Sequence, residues 1–167
     1  MEGRGLKRQR WRRAYACFFV LVLVLVLVSQ NFILKIFSIV TQDTNLSERR
    51  HFPTMDGKTI FKLAVQKLPE VVNEALEKAE LALDDIDLFI PHQANLRINQ
   101  FFQKSMKLPE GKVFNNIQRY GNTTAASIPI ALDEAIEMNL IGDGSTVLFL
   151  GLGSGLTWGA VISKLVG

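Results

Sequence analysis

The chain has 167 residues, enough for one ordinary domain, and 48% of them are hydrophobic, a high fraction for a single domain. Residues 1–13 carry a net charge of +5 and the whole chain carries +3, so residues 14–167 sum to −2. A nucleic-acid-binding surface needs its basic residues on the folded part, so this distribution argues against one. Because Cys17 is the single cysteine, the chain cannot form an internal disulfide. Its apolar neighbours indicate that Cys17 serves as a small apolar residue and not as a catalytic thiol. No Cys/His spacing indicates a metal site.

The first 50 residues form a basic and then hydrophobic leader. Residues 14–28 carry no charge, and a second apolar stretch at 32–40 follows three polar residues. A secretory signal peptide has this basic start and short apolar core. A membrane anchor needs about 20 apolar residues, which 14–40 supplies if its polar interruption is tolerated. The basic residues before it would then hold the N-terminus on the cytoplasmic side. Alternatively, residues 1–50 are not native to the domain, as after a misplaced start or a gene rearrangement.

Residues 51–57 are polar and contain Pro53 and Gly57, which predicts a linker and places one domain at 58–167. Apolar residues then recur at helical spacing from Lys58 to Ala82, which predicts an amphipathic helix that is kinked or restarted at Pro69. The further predicted elements are a buried strand at 86–90, a helix at 95–106, a strand at 113–117, a helix at 127–138 with Glu134 on its exposed side, and strands at 145–150 and 156–165. This alternation is typical of an α/β layered domain.

Three short segments follow predicted strands, where α/β folds place their active sites. They are PHQANLR at 91–97, YGNTTAAS at 120–127 and GLGSGLTWG at 151–159. Each also has a structural interpretation: a satisfied histidine, an Asn-Thr pair that caps the next helix, and a tight glycine turn. The glycine turn matches no dinucleotide or Walker phosphate motif.

In this order, the longer motifs PHQANLRI, YGNTTAASIPIALDEA and GLGSGLTWGA resemble ketoacyl synthase III, the initiating condensing enzyme of type II fatty acid synthesis. The resemblance runs from about Met55 to the C-terminus. It implies the C-terminal half of a thiolase-like layered fold and a decarboxylative Claisen condensation of acyl-CoA with malonyl-acyl carrier protein. The resemblance implies no cofactor.

The resemblance assigns the catalytic histidine and asparagine to His92 and Asn122. Their neutral N–H groups would stabilise the enolate oxygen of the malonyl thioester, and a helix start after His92 would keep its imidazole uncharged. The backbone of Gly153, Ser154 and Gly155 would hold the oxyanion of the acyl thioester. Ser154 stands where the family usually has Gly or Ala, and a backbone donor tolerates that change.

A segment associated with the acyl carrier protein, or with CoA, follows the histidine. Arg97 suits an acidic carrier whose prosthetic arm bears a phosphate, and Lys104 extends the basic patch by about two helical turns. The assigned residues are Gln93, Ala94, Asn95, Leu96, Arg97 and Lys104.

The family's nucleophilic cysteine lies in the other half of the fold, and Cys17 lacks its surrounding motif. The chain alone is therefore expected to be inactive and to need a missing N-terminal half or a homodimer partner. The family implies a cytoplasmic or plastid location, whereas the leader suggests membrane association through 14–40. One alternative function is a membrane-tethered or secreted module that binds acyl-CoA or carrier protein without turnover. Another is a different thiolase-superfamily enzyme that uses acyl-CoA in place of carrier-bound malonyl.

Overall fold

The computed structural model describes residues 56–153 and 157–166. The predicted leader at 1–50, and with it the proposed membrane segment 14–40, lies outside these ranges, as does most of the predicted linker. Within the described ranges, no helix combines the length and apolarity needed to cross a membrane.

The described residues alternate between helices and strands, as the sequence predicted. The three strands form one sheet in the order β1-β2-β3, with β1 parallel to β2 and β3 antiparallel to it. Two short 3-10 turns, at Leu83–Asp85 and Thr124–Ala126, join larger elements. The elements are α1 (Gly57–Ala79), β1 (Leu88–Pro91), α2 (Leu96–Ser105), α3 (Ile117–Tyr120), α4 (Ser127–Glu137), β2 (Thr146–Gly153) and β3 (Thr157–Lys164).

Helix α1 is one continuous helix of 23 residues with Pro69 inside it. Of the two alternatives predicted at Pro69, the restart is wrong and the kink stays a prediction. A proline inside a helix costs about 3 kcal/mol, because a backbone hydrogen bond is lost and the ring meets the preceding turn. A buried stripe on both sides of Pro69 offsets this cost by packing on the sheet; it consists of Ala64, Leu68, Val72 and Leu76. The helix begins at an Asp56 cap and ends at Glu80, which adopts the left-handed conformation.

The predicted strand at 113–117 is also wrong. Only Val113 pairs with the sheet, through an isolated parallel bridge to Phe89, and Ile117 already begins α3. The reason lies in the buried side chain of Gln93. Its Oε1 accepts hydrogen bonds from the backbone N–H groups of Asn116 (3.1 Å) and Ile117 (3.2 Å). These donors therefore bind a side chain instead of a neighbouring strand.

The sheet lies between two helical layers. Alternate residues of the buried strands β1 and β2 face opposite sides, as strand geometry requires. Phe89 and Leu148 pack with α1 and α2, whereas Ile90 and Val147 pack with α4. Strand β3 lies at one end of the strand order and is half-exposed.

The start of the parallel β1–β2 pair is closed by a reciprocal contact between Asp87 and Thr146. The backbone N–H of Asp87 donates to the carbonyl of Thr146 at 2.8 Å, and the backbone N–H of Thr146 donates to Asp87 Oδ2 at 2.7 Å. These residues are 59 positions apart, so the two strands meet across a long stretch of chain.

Candidate functional site

His92 follows β1 directly, at the carboxyl end of the strand as predicted. Its backbone N–H donates to the carbonyl of Leu150 at 2.7 Å, which extends the β1–β2 ladder by one residue. This bond fixes the backbone position from which the imidazole extends. The side chain is half-buried beside a small pocket, which is lined by Leu68, Pro91, His92, Ala94, Ile98, Asn99, Leu150 and Leu152.

The imidazole of His92 contacts Ser127, a residue that the sequence did not single out. Nδ1 of His92 lies 2.5 Å from Oγ of Ser127, and the serine is only 2% exposed. Ser127 is the first residue of α4, and its Oγ also accepts a hydrogen bond from the backbone N–H of Gln93 at 3.3 Å. Ser127 is the last residue of the YGNTTAAS segment, but nothing in the sequence links it to a histidine 35 positions away.

Burial lowers the pKa of His92 below its usual value of 6.5. An imidazolium loses solvation when it is removed from water, so the neutral form is favoured. The direction agrees with the neutral imidazole that the sequence suggested. The physical cause that the structure gives is burial of the ring.

Asn122 lies in the loop that precedes α4 and is exposed. Its Oδ1 accepts a hydrogen bond from the backbone N–H of Thr124 at 2.9 Å. Asn122 therefore stabilises the 3-10 turn before α4, where Thr124 adopts a positive φ of 52°, and does not cap α4 itself. Because the oxygen is the acceptor, the NH2 group is the part of this carboxamide that can donate to a substrate oxygen.

The amide of Gln93 makes four hydrogen bonds inside the protein. Besides the two that Oε1 accepts, Nε2 donates to the carbonyls of Pro91 (2.8 Å) and Phe114 (3.2 Å). The residue is 1% exposed. Its side chain therefore joins the end of β1 to the segment at 113–117, and it is not available to a partner protein in this structure.

The exposed members of the predicted carrier segment lie at the start of α2 and along it. Asn95 caps the helix, since its Oδ1 accepts the backbone N–H of Arg97 at 2.9 Å. Arg97 and Lys104 are exposed and seven positions apart, which places them on the same side of a helix. Ala94 and Leu96 are half-buried, and Ala94 lines the pocket beside His92.

The glycine turn is only partly within the described residues. Gly153 is the last residue of β2 and pairs with Thr157, the first residue of β3. Ser154 and Gly155 lie outside the described ranges, so the predicted oxyanion site at these residues stays a prediction.

A second polar cluster joins α3, and the residue before it, to α4. Glu134 accepts a hydrogen bond from Nδ2 of the buried Asn116 at 3.0 Å and forms a salt bridge with Arg119. The side chain of Glu134 is only 13% exposed, so the predicted solvent position is wrong. The apolar pattern of α4 could not show that Asn116 and Arg119 cover this position.

The described residues contain no group of His, Cys, Asp and Glu side chains arranged to hold a metal ion. They also contain no cysteine, since the only cysteine of the chain is Cys17. The lining of the pocket includes His92, whereas Asn122 is exposed in the loop before α4 and is not among the lining residues.

Residues 76–165, more than half of the chain, match a protein family described as 3-oxoacyl-[acyl-carrier-protein (ACP)] synthase III C terminal. The beta-ketoacyl-[acyl-carrier-protein] synthase III of Fusobacterium nucleatum is 46% identical over 122 residues, which are 73% of this chain and 37% of that protein. The protein of the same name from Pyropia yezoensis is 45% identical over 111 residues, which are 66% of this chain and 34% of that protein.

Solved structures of proteins that carry the name of this family are similar to this chain. The crystal structure of 3-oxoacyl-[acyl-carrier-protein] synthase III from Aquifex aeolicus has a TM-score of 0.65 at 49% sequence identity, covering 66% of this chain and 36% of that one. The chain thus spans little more than a third of the length of these relatives. The matched range 76–165 contains all three of the motifs on which the resemblance was recognised.

Proposed function

The chain belongs to the 3-oxoacyl-[acyl-carrier-protein] synthase III family, as its C-terminal part, and from this premise we propose that residues 56–166 supply the enolate-stabilising half of a condensing site. The observation that carries the proposal is the position of His92. It stands at the carboxyl end of β1 beside a pocket, with one ring nitrogen bonded to a buried serine and its pKa lowered by burial.

The reaction needs hydrogen-bond donors directed at the oxygen on which negative charge develops, and neutral N–H groups meet this need. When the malonyl thioester loses carbon dioxide, the electron pair of the broken C–C bond moves toward the thioester oxygen. Preorganised N–H donors in a partly dry pocket stabilise that developing charge. We assign these donors to the imidazole of His92 and the carboxamide of Asn122. The enolate carbon then attacks an acyl group held as a thioester on a cysteine, a C–C bond forms, and the cysteine thiolate leaves.

The cysteine must come from outside residues 56–166, since these contain none. Cys17 has only apolar residues beside it and lacks the electropositive surroundings that activate a thiol. We propose that the nucleophile belongs to an N-terminal half of the fold that residues 1–167 do not include, and that this chain alone does not condense its substrates. In the assembled enzyme a homodimer interface is a further expected contact.

Acyl-CoA and malonyl-acyl carrier protein are the proposed substrates. Helix α2 lines the His92 pocket through Ile98 and Asn99. Arg97 and Lys104, exposed on the same helix, would bind the acidic carrier and the phosphate of its prosthetic arm. These substrates imply a cytoplasmic or plastid location. Membrane attachment through 14–40 is a separate proposal that rests on the leader sequence alone.

The proposal is tested by complementation. The full chain is assayed with acetyl-CoA and malonyl-acyl carrier protein, alone and with a separately produced N-terminal half of the Aquifex aeolicus relative. We expect no ketoacyl product from the chain alone and measurable product from the mixture. Product from the mixture should be lost in His92→Ala and retained in Cys17→Ala.

Each contrary outcome has a definite meaning. Product from the chain alone that survives Cys17→Ala would show a nucleophile elsewhere and overturn the proposal. Carrier protein or acyl-CoA that binds without product in either assay would favour the binding module without turnover. Product with acyl-CoA in place of malonyl-acyl carrier protein would favour another enzyme of the thiolase superfamily.

A further inference from the structure

The pair of Ser127 and His92 has two chemical interpretations. A serine hydroxyl bonded to an imidazole is the pair that activates a nucleophilic serine in hydrolases. A nucleophile must be reached by its substrate, however, and Ser127 is only 2% exposed. The serine is therefore a partner of the histidine and not a second reactive group.

The direction of the hydrogen bond follows from the other contact of the hydroxyl. Oγ of Ser127 already accepts the backbone N–H of Gln93 at 3.3 Å. A hydroxyl has one hydrogen to donate, and among the described residues the acceptor within hydrogen-bond distance is Nδ1 of His92 at 2.5 Å. If Nδ1 carried the proton instead, Oγ would accept two N–H bonds and its own hydrogen would be left buried without a partner, which costs about 1–3 kcal/mol.

We propose that Ser127 is a positioning residue that donates to Nδ1 of His92 and thereby holds the imidazole in the tautomer with its proton on Nε2. A neutral imidazole carries one N–H, so an acceptor at Nδ1 makes Nε2 the donor. The N–H is then on the ring nitrogen away from Ser127. The assignment of the tautomer does not depend on the proposed condensing function. The use of Nε2–H as a donor to the enolate oxygen rests on that function.

Both partners are held in place from independent directions. Ser127 begins α4, which packs on the sheet through the fully buried Ala131 and Ala135. His92 is fixed by its backbone bond to Leu150, and Gln93 next to it bonds to Ser127 Oγ. The histidine ring therefore meets a hydroxyl whose position is set by the helix layer, and the sheet and that layer together select the tautomer.

The direct test is NMR of the imidazole nitrogens in the full chain, 15N-labelled and held in detergent micelles. The chain has two histidines, so His51→Gln leaves His92 as the single source of signals. We expect Nδ1 to show the shift of an unprotonated acceptor and Nε2 that of a protonated donor. In Ser127→Ala the two shifts should move toward each other, and Ser127→Thr, which keeps the hydroxyl, should restore the difference. Ser105→Ala is the matched control, because its hydroxyl bonds to the carbonyl of Phe102.

A proton on Nδ1 in the parent protein overturns the proposal, and so does a Ser127→Ala spectrum in which the Nε2–H form is undiminished. If Ser127→Ala does not fold, the parent spectrum decides: a proton on Nε2 supports the proposal and one on Nδ1 refutes it. In the complementation assay we expect Ser127→Ala to lower kcat about 10-fold with little change in KM. This loss is smaller than the about 100-fold loss, or more, that follows removal of an entire oxyanion donor. Inactivity of every mixture, together with the expected spectra, would refute the condensing function and leave the tautomer assignment standing.

Discussion

Nδ2 of Asn116 donates to Oε2 of Glu134 across 3.0 Å, and this bond joins the segment before α3 to the middle of α4. Asn116 is 2% exposed, whereas Arg119, the other partner of Glu134, is more than half exposed. A salt bridge to an exposed arginine contributes little, but a buried amide that loses its acceptor is costly. The Asn116 bond is therefore the stronger reason for a carboxylate at position 134.

Glu134→Ala should lower the free energy of unfolding by about 1–3 kcal/mol, because the amide of Asn116 is left buried without its acceptor. Glu134→Gln keeps an acceptor oxygen and should cost less. Urea unfolding followed by circular dichroism measures both. Glu137→Ala, at an exposed position of the same helix, is the control. A loss in Glu134→Ala no larger than that of the control would show that the Asn116 bond is unimportant.

Gln93→Leu should destabilise the protein by about 3 kcal/mol or more, since two backbone N–H groups and two carbonyls lose a buried partner together. Gln103→Leu is the control, since that amide makes a single bond, to the carbonyl of Pro109. The measurement is again chemical unfolding. A Gln93→Leu protein of parental stability that binds carrier protein more weakly would mean that Gln93 serves the partner and not the fold.

Arg97→Ala and Lys104→Ala should each weaken binding of the carrier protein about 2-fold to 5-fold, and the loss should shrink at high salt because exposed charges are screened. Titration calorimetry at two salt concentrations measures this. Lys62→Ala removes an exposed lysine from α1 and should leave the affinity unchanged. Equal losses in all three variants would indicate a general charge effect and no defined patch on α2.

Stability should depend on pH through His92. Burial lowers the folded-state pKa of His92 below 6.5, so the unfolded chain takes up a proton first as the pH falls. The free energy of unfolding contributed by this group is present above pH 6.5 and is lost as the pH falls through the folded-state pKa. Unfolding curves between pH 7.5 and about 5 should show this slope, and His92→Gln should lack it. An identical slope in both proteins would assign it to other groups.

Several large apolar side chains are exposed and should make the domain prone to association. We expect the full chain to fractionate with membranes or inclusion bodies, and deletion of residues 1–50 to improve solubility only in part. Sedimentation and size-exclusion chromatography compare the two forms. A stable soluble monomer after deletion would mean that the domain needs no second half, and a soluble full chain would contradict the membrane interpretation of 14–40. The side chains are Phe101, Tyr120, Met138, Leu140, Trp158 and Val161.

The fold was predictable wherever the local pattern and the packing agree. The apolar stripe of α1 and the short buried run of β1 are visible in the sequence, and both elements are present. Strand β1 begins two residues later than predicted, and α1 ends three residues earlier. The segment at 113–117 failed because the side chain of Gln93 takes the N–H groups that a strand would use. Secondary-structure propensities do not include that competition, since it depends on a residue more than 20 positions away.

The candidate site was predictable in its residue types and not in its connections. His92 is where a strand-end rule places it, at the carboxyl end of β1. Its contact with Ser127 spans 35 positions and depends on how α4 docks on the sheet, which a single sequence does not contain. For the same reason the sequence showed Glu134 as one more charge on a helix, and its buried partner Asn116 was not anticipated.

The two hydrogen bonds between Asp87 and Thr146 join strands that are far apart along the chain, and this separation affects how the molecule folds. Strands β2 and β3 are close along the chain and can pair as a local hairpin. Strand β1 pairs with β2 only after the chain between Asp87 and Thr146, which are 59 positions apart, has been closed into a loop. Long loops of this kind are slow to close, and parallel pairing adds to the delay. The backbone bond from His92 to Leu150 belongs to that late pairing. We therefore expect the pocket to be assembled late in folding, so that a change that slows the pairing of β1 with β2 delays the site before it disturbs the rest of the domain.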